Sequence, residues 1–162
     1  GLKTRLHGDY HLGQVLVAKN DFVIIDFEGE PGRTLDERRA KRSPLRDVAG
    51  MLRSFGYAAQ SALRGAVRAA DDATVLAPPA ARWQAQVREA FLRGYDAVAG
   101  DSGLYEEALV SGAGLLGLYE LDKALYELRY ELNNRPDWVD IPLQGLLELL
   151  AASPMGAADG TR

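Results

Sequence analysis

Within His7-Gly8-Asp9-Tyr10-His11-Leu12-Gly13-Gln14, two imidazoles, a carboxylate and an amide lie close together, and a second carboxylate, Asp26, follows in the apolar run Phe22 to Glu28. Three readings compete for this set. His7, Asp9 and His11, spaced i, i+2, i+4, would point to one side of an extended segment as zinc ligands do. The chain has only 2 histidines and 0 cysteines, so a nearby fourth ligand is missing. The same residues would equally serve to hold a loop. Phosphoryl transfer is the third reading: it needs a carboxylate to orient the attacking hydroxyl and take its proton, and oxygen ligands to hold magnesium against nucleotide phosphates. Asp9 and Asp26 supply the carboxylates, and Gln14 adds a neutral amide oxygen.

The elements must bring Asp26 back to the loop that carries Asp9. Gln14 to Ala18 and Phe22 to Glu28 read as short strands joined through Lys19-Asn20-Asp21, a β-hairpin that does this. Glu30-Pro31-Gly32 breaks the second strand, and a basic loop leads to Ser43-Pro44, a helix start. Leu45, Val48, Met51 or Leu52, Phe55 and Ala59 then recur at helical spacing, predicting a helix from Pro44 to about Ala70. Ala77-Pro78-Pro79-Ala80 is expected to end that region before an amphipathic helix through Trp83, Val87, Phe91 and Val98. Further helices are expected at Tyr105–Val110, Leu115–Asn133 and Leu143–Ala152. The fold class is therefore α+β, mostly α. Gly112 to Gly117 spells GxGxxG, but a helical pattern rather than a strand precedes it, so it does not read as a dinucleotide loop.

With 162 residues the chain is the size of one domain. No apolar run reaches the roughly 20 residues of a membrane span, and no leader opens it, which points to a cytoplasmic protein with no membrane partner. A net charge of -4 argues against a nucleic-acid partner. Arg38, Arg39, Lys41, Arg42 and Arg46 are crowded together and need counter-charges, which Glu28 and Glu30 offer. The chain opens at Gly1 inside a motif and reads as part of something longer.

His7-Gly8-Asp9, Gln14 five residues on, and a strand ending Asp26-Phe27-Glu28 together resemble the catalytic and metal-binding segments of aminoglycoside-phosphotransferase-like kinases, relatives of the protein kinases. Gln14 stands where most of that superfamily has asparagine, and Glu28 where protein kinases have glycine. The wording from His7 to Phe55, together with Tyr119 to Leu146, resembles the maltokinases in particular. That resemblance implies the C-terminal lobe of a kinase-like fold over residues 1–153, with its N-terminal lobe absent and a disordered tail at 154–162. It implies ATP-dependent phosphorylation of maltose to maltose 1-phosphate within glycogen and trehalose metabolism, often beside a trehalose synthase domain. Asp9 would be the base, Gln14 and Asp26 would hold Mg2+, and Glu28 would assist the metal or pair with the arginines. His7 would anchor the loop and Asp47 would brace it through its backbone. The alternatives are a non-catalytic lobe attached to trehalose synthase, and a phosphotransferase for another hydroxylated acceptor.

On the helix from Leu115, Leu118, Leu121, Leu125, Leu128 and Leu132 form an apolar stripe expected to face the core. Lys123, Tyr126, Glu127 and Tyr130 fall opposite. Tyrosine offers a ring face to a pyranose and a hydroxyl to its polar groups, while lysine and glutamate satisfy sugar hydroxyls. With the resemblance, these four are the expected sugar-binding residues. Packing against a neighbouring helix is the plainer alternative.

Overall fold

The computed structural model describes residues 1–68, 70–106 and 114–152. Strands β1 (Val15–Ala18) and β2 (Asp21–Ile24) pair antiparallel with Val15 opposite Ile24 and Ala18 opposite Asp21. Lys19 and Asn20 between them both have positive φ, 49° and 67°, the backbone a two-residue turn needs for its twist to match the strands. Val15 at the base of the hairpin packs against the helical core, while its turn end projects away: Val17 and Phe22 are 74% and 73% exposed. β2 stops at Ile24, so Asp26 lies past the strand and not within it.

Helix α1 (Leu35–Arg39) lies where the sequence suggested only a basic loop. A reciprocal cap makes it: the Thr34 hydroxyl accepts from the Glu37 amide, and Glu37 accepts from the Thr34 amide. Helix α2 (Leu45–Ala66) buries Leu45, Val48, Met51, Leu52, Phe55 and Ala59, the face its periodicity predicted. Arg53 is also buried.

Helix α3 (Ala70–Ala99) continues through Pro78 and Pro79, which were expected to end a segment. Both prolines are exposed, so the carbonyls that lose their amide partners can be met by water. Helices α4 (Leu115–Asn134) and α5 (Asp140–Ala152) complete the described body, with α2 packed between α3 and α4. Leu92, Tyr105 and Leu116 close the core over α2.

The leucine stripe of α4 does not face this core. Leu118, Leu125 and Leu132 are exposed, whereas Glu120, Ala124 and Glu131 are buried. The buried side is satisfied by charge pairs: Arg88 bonds Glu120, Arg53 donates to Glu127 at 2.8 Å, and the Tyr57 hydroxyl donates to Glu131 at 2.8 Å. Leucine periodicity marks an apolar face, but it does not say which face the neighbours take.

The expected helix at Tyr105–Val110 and the tail 154–162 lie largely or wholly outside the described residues. Among the described residues no helix is long and apolar enough to cross a membrane. The mostly helical body with one two-stranded sheet agrees with the α+β, mostly α expectation.

Candidate active site

The loop bearing Asp9 is tied down at three points. Asp47, in the first turn of α2, accepts from the His7 amide at 2.8 Å and the Gly8 amide at 2.9 Å, one on each carboxylate oxygen. Burial pushes the Asp47 carboxyl up, against these two hydrogen bonds, which favour its charge. The buried His7 ring donates from Nε2 to the Ile25 carbonyl at 2.8 Å and accepts at Nδ1 from the Asp9 amide at 3.3 Å. That tautomer follows from the partners, since a carbonyl only accepts and an amide only donates. His7 thus joins the Asp9 loop to the segment entering Asp26, and its ring is fully engaged. The third point is Gly50 of α2, where a Cβ would come within 2.6 Å of the Tyr10 carbonyl oxygen. The loop backbone rests where a side chain would otherwise be.

Asp9 itself lies between two basic groups. Lys123 Nζ is 3.2 Å from its Oδ1, and His11 Nε2 is 3.7 Å from its Oδ2. Burial alone would raise the Asp9 carboxyl, but His11 and Lys123 outweigh it and hold the group below its usual range. Lys123 also meets Glu30 at 2.5 Å. Burial would lower the Lys123 ammonium, yet Glu30 and Asp9 raise it, so it stays charged.

Glu30 is the functional neighbour that sequence reasoning underrated. It is 3% exposed and takes Arg33 at 3.1 Å and Arg46 at 3.9 Å as well as Lys123. Its placement beside Pro31-Gly32 was read as a strand break, and only the crowd of nearby cations hinted at a buried anion. Glu28 meets Arg38 through its backbone carbonyl, at 3.3 Å, so Glu30 and not the Glu28 carboxylate pairs with the arginines there.

Gln14 and Asp26 come together: Gln14 Nε2 donates to Asp26 Oδ2 at 3.0 Å. Asp26 adopts φ 61°, a left-handed conformation that aspartate tolerates better than most side chains. Gln14 Oε1 and Asp26 Oδ1 are the oxygens of this pair that could meet a metal ion. Two oxygen donors without nitrogen or sulfur suit magnesium, which is commonly held by one or two carboxylates, water and substrate phosphates rather than by a full protein cage. Among the described residues no group of three or more His, Cys, Asp or Glu forms a metal cage. The zinc reading of His7, Asp9 and His11 therefore finds no support, because the His7 nitrogens are both occupied by backbone.

A cleft of about 550 Å³ holds Asp9, His11, Lys123, Tyr126, Glu127 and Tyr130 along its wall. The expected base and the four expected sugar-contact residues thus share one space, where the exposed leucine stripe leaves α4's polar face turned inward. Tyr126 lies against Lys123, with Nζ 5.0 Å from its ring centroid. Glu127 is fixed by Arg53, which donates twice to Oε2 at 3.1 and 2.8 Å and leaves Oε1 without a partner from that arginine. Trp138 stacks on Tyr57 at 6.2 Å between ring centroids and pins the turn before α5 to α2.

No model of a known protein family matches the chain. Curated relatives include the glucosamine kinase of Streptacidiphilus jiangxiensis, 29% identical over 148 residues, and that of Mycolicibacterium smegmatis, 31% identical over 148 residues. These matches cover 90% and 89% of this chain but 31% and 34% of the relatives, so the chain spans about a third of their length. Among solved structures, a glucosamine kinase in complex with glucosamine, ADP and inorganic phosphate superposes with a TM-score of 0.73 at 26% identity, covering 94% of this chain and 36% of that one. Another crystal form of a glucosamine kinase gives a TM-score of 0.74 at 26% identity, covering 96% and 35%.

These relatives correct the expectation drawn from the maltokinases. Maltose, maltose 1-phosphate, and the trehalose and glycogen setting with its trehalose synthase partner are not what the similar proteins point to. The assignment to a protein-kinase-like lobe is likewise replaced by similarity to glucosamine kinases. The physical reason is that a base, an amide and a carboxylate at this spacing describe how a phosphoryl group moves. They do not describe which hydroxyl receives it.

Proposed function

We propose that this chain forms the catalytic and acceptor-binding part of a sugar kinase that transfers the γ-phosphoryl group of ATP to a hydroxyl of glucosamine. The observation that carries the reading is the Asp9 carboxylate, kept ionised between His11 and Lys123 at the wall of the cleft that also holds Tyr126, Glu127 and Tyr130. The similarity to glucosamine kinases supports the choice of acceptor.

In this mechanism Asp9 orients the acceptor hydroxyl and takes its proton as the acceptor oxygen bonds to the γ-phosphorus. The bond from that phosphorus to the β–γ bridging oxygen breaks, and ADP leaves. Asp47 and His7 keep the Asp9 loop in register, which matters because small misplacements of a base cost rate steeply. Gln14 and Asp26 would hold magnesium, which neutralises charge on the phosphates. Lys123, Tyr126, Glu127 and Tyr130 would line the sugar.

The test is an ADP-release assay on the full-length protein carrying this chain, with glucosamine, glucose and maltose as acceptors. Glucosamine should be phosphorylated and maltose left unchanged. Asp9→Asn should reduce turnover by at least about 10²-fold while calorimetric binding of glucosamine persists. Turnover of that variant at the parent rate removes Asp9 from the mechanism.

A further inference from the structure

We propose that His11 is a positioning residue that ties the catalytic carboxylate to the turn presenting Gln14, with one ring nitrogen serving each. The inference deepens the kinase reading and rests on it.

His11 opens the short 3₁₀ turn Leu12–Gln14. Its Nδ1 accepts from the Gly13 amide at 3.1 Å, and its carbonyl accepts from the Gln14 amide at 2.9 Å. The ring sits close against Gly13: a Cβ there would come within 2.9 Å of the His11 Cε1. The turn is anchored from outside as well, because the Leu12 amide donates to Ser54 Oγ at 3.1 Å, and Ser54 is itself bonded to the Met51 carbonyl at 2.7 Å.

Because Nδ1 accepts, the proton of the neutral ring resides on Nε2. That nitrogen faces Asp9 Oδ2 at 3.7 Å, while Lys123 engages Oδ1. Oδ2 is thus the oxygen left for an incoming hydroxyl, and the His11 N–H borders it. One ring thus stands between the base and the turn that presents Gln14, bonded to the Gly13 amide on one side and facing Asp9 on the other. Loop packing alone gives no reason for the two nitrogens to be divided in this way.

Asparagine and glutamine separate the two contacts. His11→Asn puts an amide oxygen near the Nδ1 position, where asparagine is a favoured cap, and removes the ring from beside Asp9 Oδ2 while Lys123 stays on Oδ1. His11→Gln reaches the Nε2 position with an N–H and abandons the cap. In the full-length protein with ADP bound, Mn2+ affinity is read by paramagnetic resonance, and kcat is measured at saturating metal. His11→Asn should keep Mn2+ affinity within about twofold and lose about tenfold in kcat. His11→Gln should weaken Mn2+ binding about tenfold and keep most of kcat. Two variants that fail alike, that both behave as the parent, or that show the reverse pattern overturn the proposal.

A nitrogen–proton correlation spectrum of the imidazoles gives an activity-independent reading, with His7 signals distinguished by their persistence in His11→Asn. The expected His11 form is protonated at Nε2, and a ring protonated at Nδ1 overturns the proposal. If the parent fails to phosphorylate glucosamine, the functional reading falls, while the tautomer and the Mn2+ titrations still judge this one.

Discussion

Lys123 Nζ on α4 and Asp9 Oδ1 on the opening loop stand 3.2 Å apart across 114 residues of chain. This contact joins the helix chosen for sugar binding to the carboxylate chosen for catalysis. It also explains why Asp9 stays charged despite partial burial, since Lys123 and His11 together outweigh the cost of taking it out of water.

Replacing Lys123 by Met removes one of those two groups. The Asp9 carboxyl should then titrate higher, and the acid limb of kcat/KM should move to higher pH. In the parent the Asp9 pKa is depressed, so the pair stabilises the fold above the ordinary value of 3.8 and loses that contribution as pH falls through the lowered value. The unfolding free energies of parent and Lys123→Met should therefore differ near neutral pH and converge in strong acid. An unmoved acid limb would separate Lys123 from the base.

Gly50→Ala tests the seat of the loop. The new methyl would meet the Tyr10 carbonyl oxygen at 2.6 Å, so the loop must lift. Turnover should fall by about 10²-fold, because displacing a base by around an ångström has that effect. The helical signal in circular dichroism should persist, since alanine favours the helix more than glycine does. A kinetically normal variant would show that the loop position does not govern transfer.

Gly145→Ala acts at a distance from Asp9. A Cβ on Gly145 would lie 2.7 Å from Arg53 Cζ, which displaces the guanidinium that holds Glu127. Overpacking of this kind costs about 1–3 kcal/mol, and the half-buried Glu127 left without its arginine adds to it. Urea unfolding should register that loss, and KM for the acceptor should rise more than kcat falls. An unchanged unfolding midpoint would mean that Arg53 finds another seat.

Much of this architecture was readable from residue order. The α2 stripe from Leu45 to Ala59, the Lys19-Asn20 turn and both ends of α4 are local patterns, and local patterns survive folding. Thr34 and Glu37 spelled a capping box that the density of arginines obscured. The orientation of α4 was misread because the buried Glu120, neutralised by Arg88, and the half-buried Glu127, neutralised by Arg53, look, in one dimension, like a solvated face. Glu30 was legible as a counter-charge for the arginines, but not its burial or its contact with Lys123, because its three cationic partners lie 3, 16 and 93 residues away. Acceptor identity was beyond reach, since the residues with recognisable spacing are those that would move the phosphoryl group.

The bare hairpin has a practical consequence. Two strands that, Val15 apart, are exposed gain little from each other, and their unpaired rims invite further strands to add on. Produced by itself, this segment should keep its helices yet gather into β-rich oligomers through Val17 and Phe22, and a lysine in place of Val17 should keep it dispersed.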